Sequence, residues 1–72
     1  MEILQYSDFG LELSVGGETV RATRRVDRYT KPGKWLKPTE YVEIWELEDG
    51  RQVRVSRGGK DIRWSVRWRQ SA

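Results

Sequence analysis

Seventy-two residues without a single cysteine or histidine make one small domain, which buries only about 60% of the surface its unfolded chain exposes. No disulfide or thiolate metal site supports the core, and the usual general base, nucleophile pair and zinc ligands are all missing. Fourteen basic against eleven acidic side chains leave a net charge of +3. With a pI near 9.6 this suggests a polyanionic partner, although a self-compensating surface accounts for so modest an excess equally well.

The charges fall in four alternating blocks. Residues 1–20 carry four acids and no base; residues 21–37 carry seven bases and only Asp27. Residues 38–49 carry five acids and no base, and residues 50–72 carry seven bases and only Asp61. Gly16-Gly17 separates the first two blocks and Asp49-Gly50 the last two, each with the composition of a two-residue hairpin turn. Acidic strands are thereby expected to fold back onto basic ones.

The N-terminus, MEILQYSDF, is acidic and interrupted by polar residues, unlike a signal peptide, and no stretch approaches the roughly 20 apolar residues of a membrane span. A cytoplasmic protein with no membrane partner is expected. Glu2 to Tyr6 reads as a short strand, followed by a bend at 7–10. Phe9, Leu11, Leu13 and Val15 alternate with polar or small residues and predict a half-buried strand. A two-residue Gly16-Gly17 loop sets Leu13 opposite Val20, Leu11 opposite Ala22 and Glu12 opposite Arg21. The returning strand is expected to run from Thr19 to Val26 or Tyr29, with Arg24 either covering the end of the core or marking a bulge.

Residues 30–38 break the alternation. Pro32-Gly33 is a turn, and Pro38 donates nothing to a ladder. Thr39 to Leu47 is the next strand. A two-residue Asp49-Gly50 loop sets Ile44 opposite Val55, Val42 opposite Arg57 and Trp45 opposite Arg54. A Gly58-Gly59 loop then sets Val55 opposite Ile62, Val53 opposite Trp64 and Arg54 opposite Arg63. One apolar face results, made of Val42, Ile44, Val53, Val55, Ile62, Trp64, Val66 and Trp68. The expected fold is all-β, an antiparallel meander of about five strands curled into a small, partly open SH3-like barrel over residues 1–69. An open sheet covered by a second copy is the alternative, and residues 70–72 read as a loose tail.

For function, chemistry of the catalytic kind has no residues to rest on: no nucleophile motif, no phosphate-cradling Gly loop ahead of a helix, no calcium loop. No catalytic, metal or cofactor site is assigned. Lys31, Lys34 and Lys37 recur around Pro32-Gly33 beside Tyr29 and Trp35, a composition suited to phosphates and exposed bases. Trp35 is nevertheless expected to fold down and plug the barrel mouth, as tryptophans of small β-domains commonly do. Arg54, Arg63 and Arg67 share an outer face with Tyr41 and Trp45, where Glu43, Trp45 or a bound anion would relieve the repulsion between Arg54 and Arg63. The leading expectation is a non-enzymatic β-barrel that binds nucleic acid. Arg28, Lys31, Lys34, Lys37, Arg63 and Arg67 would take phosphates, and Trp35 would stack. The alternative is a protein-interaction module or inhibitor that grips an acidic protein partner through Tyr41, Trp45 and Arg54 or through an open strand edge; a homodimer belongs to this class.

Overall fold

Six antiparallel strands follow one another around the sheet in the computed structural model, which describes residues 1–36 and 38–69. They are β1 (Glu2–Ser7), β2 (Gly10–Val15), β3 (Glu18–Lys31), β4 (Glu40–Leu47), β5 (Gln52–Gly58) and β6 (Ser65–Trp68), each hydrogen-bonded to the next. The sheet curls into a half-barrel, an open barrel of SH3-like shape, with six strands where about five were expected. The expected tail, 70–72, lies outside the described residues. Among those described, no helix is long and apolar enough to cross a membrane.

The first hairpin follows the sequence pattern closely. Leu13 pairs with Val20, Leu11 with Ala22 and Glu12 with Arg21, whose guanidinium meets the carboxylate at 3.0 Å. Gly16 and Gly17 both adopt positive φ, the requirement of a type I′ turn. Phe9, expected in the strand, instead lies exposed in the turn between β1 and β2. The long strand β3 carries two register shifts, between Ala22 and Arg24 and between Arg25 and Asp27. Bulges bend a strand and tighten its twist, and here they let β3 pair with β2 by its first half and with β4 by the remainder.

The second hairpin departs from expectation by one residue, and that residue inverts a face. The Leu47 N–H donates to the Arg51 carbonyl at 2.7 Å and the Gly50 N–H to the Leu47 carbonyl at 3.0 Å. With Gly50 at φ 90°, the loop is a three-residue turn closed by a glycine bulge. Asp49 secures it by accepting from the Arg51 backbone N–H. Trp45 therefore pairs with Val53 and Glu43 with Val55, while Ile44 meets Arg54 and Val42 meets Ser56. A one-residue slip moves every side chain to the opposite face. Trp45 consequently lies in the core, 1% exposed, with Leu11, Leu13, Ala22, Leu47, Val53 and Val55.

Val42 and Ile44 are buried as well, on the other face of β4. Their direct partners Tyr29 and Arg54 flank them there. The central strand is thus covered on both faces, which explains why four consecutive residues, Val42 to Trp45, are buried.

The third connection is longer than expected. Val53 pairs with Trp68, Val55 with Val66 and Arg54 with Arg67, four residues along from the expected register. Gly58 and Gly59 do not have the positive φ of a tight turn; they are small because the chain passes close. A Cβ on Gly59 would meet the Thr39 carbonyl oxygen at 3.1 Å, and one on Gly58 would meet the Asp61 carboxylate at 2.8 Å. The even shift preserves the parity of β6, so Val66 stays inward and half-buried. Ile62, however, is left in the loop at 92% exposure, and Trp64 flanks the core instead of lying opposite Val53.

Candidate functional site

Two loops meet at one end of the half-barrel, residues 32–39 between β3 and β4 and residues 59–64 between β5 and β6. The Gly59 N–H donates to the Thr39 carbonyl at 2.6 Å and joins them. Lys31 and Lys34 come from the first loop and its base, Lys60 and Arg63 from the second. Trp35 and Leu36 are fully exposed on the first, and Ile62 nearly so on the second. Trp35 does not plug the barrel mouth: its side chain contributes nothing to the core, and its backbone is at φ 55°. A bulky residue in the left-handed region is strained, at a cost of roughly 1–2 kcal/mol.

The cations sort into two groups. Across the sheet, Arg21, Arg24, Arg25, Arg28, Arg51 and Arg54 each have a carboxylate within 4.0 Å. Among the described residues, Lys31, Lys34, Arg57, Lys60, Arg63, Arg67 and Arg69 have none at that distance. The unmatched charge therefore lies on and beside the two loops, at the end of β5 and along β6 and the residue after it.

Of the residues picked out in the sequence, Lys31, Lys34, Trp35 and Arg63 lie in segments at the same end of the half-barrel. Lys37 lies outside the described residues. Arg28 is on the concave face, where its Nε lies 3.9 Å from Glu43. Arg67 sits on the outer face opposite Arg54, four residues along β5 from Gly58 or roughly 13 Å. The outer-face cluster itself is rearranged. Arg54 faces Arg67 instead of Arg63 and is neutralised by neither Glu43 nor Trp45 but by Glu40, at 2.8 Å. Its side chain is only 13% exposed. Burial works against its charge, but hydrogen bonds to Glu40 and Tyr29 more than compensate and hold its pKa above the usual value. Trp45 is core and presents no surface to a protein partner, while Tyr41 remains partly exposed beneath Arg57 at 5.1 Å.

The sequence reading missed a polar cluster on the concave face. Glu43, 3% exposed, accepts from the Tyr6 hydroxyl at 2.7 and 2.8 Å, from the Trp45 indole N–H at 2.9 Å and from Arg25 at 3.3 Å. Tyr6 stacks on Trp64 at 5.0 Å, and Arg25 lies over Trp45 at 5.5 Å. Burial first, then the hydrogen bond and charge of Glu43, push the Tyr6 hydroxyl up to about 12. Among the described residues no buried side-chain polar atom lacks a partner. The cluster ties β1, β3 and β4 together. No three acids converge on a metal position among the described residues. Its only signal in the sequence was that β4 carries apolar residues on both parities, Val42 and Ile44 against Trp45 and Leu47.

No protein-family model, curated protein or solved structure matches this chain.

Proposed function

We propose that this protein is a non-enzymatic nucleic-acid-binding module whose contact surface is the loop end of the half-barrel. Lys31, Lys34, Lys60 and Arg63 take backbone phosphates, Trp35 stacks on an exposed base, and Arg67 and Arg69 extend the cationic track along β6. Lys37, two residues after Trp35 in the sequence and outside the described residues, adds a fourth lysine. The observation that carries the reading is Trp35, fully exposed and backbone-strained near Lys31 and Lys34, neither of which has a carboxylate within 4.0 Å among the described residues. Stacking of a base on an aromatic ring is worth about 1–3 kcal/mol and tolerates any base, and the lysines supply the salt-dependent remainder by counterion release. Arg28 is less well suited than the loop cations, because Glu43 already competes for it.

Titration with mixed oligonucleotides at several salt concentrations tests the proposal. Replacing Lys31, Lys34 and Lys60 by Gln should weaken binding and reduce the slope of log K against log salt by about two to three units. Trp35→Gly should weaken binding by about 1–3 kcal/mol without loss of stability, since glycine relieves the left-handed strain and no packing is removed. Unchanged affinity and slope in both variants would reduce the loop end to a solvated connector.

A further inference from the structure

The barrel is open along one seam. β1 and β6 approach each other, yet they end the strand order and share no ladder. Between them lies a cleft of about 690 Å³ lined by Ile3, Trp64 and Val66 together with the charged Glu2 and Arg63. The edge of β6 has a definite chemistry. The Arg69 N–H donates inward to the Gln52 carbonyl at 3.1 Å. By the alternation of an antiparallel ladder, the N–H groups of Val66 and Trp68 therefore point into the seam.

A strand laid beside β6 alternates its side chains between the same two faces. Its inward residues meet the apolar lining of the cleft; its outward residues lie beside Arg67 and Arg69, which have no carboxylate partner among the described residues. A second copy of β6 would set these arginines against their own duplicates, which is unfavourable. An acidic strand would match them.

We infer that the β1–β6 seam is a strand-addition site for an extended segment of a partner protein, about five or six residues long, alternating acidic with β-branched side chains. It pairs with β6 in the antiparallel sense. Because β1 and β6 themselves run antiparallel in this meander, such a segment lies parallel to β1. Edge hydrogen bonds supply the affinity and the arginines the choice of partner. The site shares Arg63, Arg67 and Arg69 with the cationic track proposed for nucleic acid but none of the loop lysines or Trp35, and either can exist without the other.

The test follows amide exchange and chemical shifts by NMR while the protein is titrated with a blocked hexapeptide alternating Asp and Val. A hexapeptide alternating Lys and Val is the comparison. The acidic peptide is expected to slow exchange at Val66 and Trp68, and the basic one to leave it unchanged. Arg67→Gln and Arg69→Gln should each weaken the acidic peptide about threefold. The Lys31/Lys34/Lys60 variant should bind it as the parent does, which separates this site from the loop lysines. The inference is overturned by unchanged exchange at millimolar peptide or by equal binding of the two peptides. Val66 and Trp68 amides already protected in the free monomer would overturn it too, since β1 then closes the seam. The same protection in a self-associated form would give the seam to a second copy.

Discussion

Replacing Glu43 probes the concave cluster most directly, because one carboxylate there serves three donors. In Glu43→Gln the shape is retained and the charge is lost. The remaining carbonyl oxygen keeps the Trp45 indole N–H, now 2.9 Å from Oε1, and the Tyr6 hydroxyl reorients. The amide then turns a donor toward Arg25, whose Nη1 stands 3.3 Å from Oε2 and retains only Asp8 at 3.7 Å. Loss of one charge-assisted hydrogen bond costs about 1.5–3 kcal/mol. In Glu43→Leu all three donors lose their acceptor, and stranding the buried partners of an ion pair costs about 3–5 kcal/mol. A domain of this size has on the order of 5–10 kcal/mol in total, so the leucine variant sits near the limit of folding. Urea titration followed by tryptophan fluorescence measures both, and Trp45 beside the substitution reports the transition. Thermal melts of Glu43→Gln should fall by roughly 6–24 °C, at about 4–8 °C per kcal/mol for so small a domain. A midpoint within about 0.5 kcal/mol of the parent would refute the reasoning, since a solvated carboxylate behaves that way.

The Tyr6 hydroxyl gives a pH signature. Its pKa in the folded chain is raised to about 12 from about 10 in the unfolded one, so the folded state holds the proton longer. Its contribution is present in full below pH ~10 and lost as the pH rises toward ~12; the parent should lose stability over that interval relative to Tyr6→Phe, and parallel curves for the two proteins would contradict it. Trp64→Ala should cost about 1.5–3 kcal/mol, less than the roughly 3–5 kcal/mol of Trp45→Ala, because Trp64 is only half-buried and held chiefly by its stack on Tyr6 and by Arg57 at 5.4 Å. Equal losses measured by denaturation would place Trp64 in the core.

The sequence alone was enough for the strand class, the meander order and the first hairpin, since these rest on local causes. Alternation of period two, a Gly16-Gly17 pair free to take positive φ, and acid facing base at Glu12 and Arg21 all point the same way. The lysine loop was legible for the same reason, as a run that breaks the alternation. What only the tertiary structure decided were the faces of β4. Whether Asp49-Gly50 closes a two- or a three-residue loop is a small local difference, but it exchanges Trp45 for Ile44 in the core. Alternation could not settle it, because β4 offers apolar residues to both sides. Glu43 became a buried hub only when the extra loop residue and the bulges of β3 brought Tyr6, Arg25 and Trp45 around it from three strands. Trp35 and Ile62 look like core residues by composition, and both are exposed. Where two loops approach, the glycines at 58 and 59 serve contact with Asp61 and Thr39 instead of a turn. The Gly59–Thr39 approach joins residues about twenty positions apart, a separation at which neither propensity nor spacing carries information.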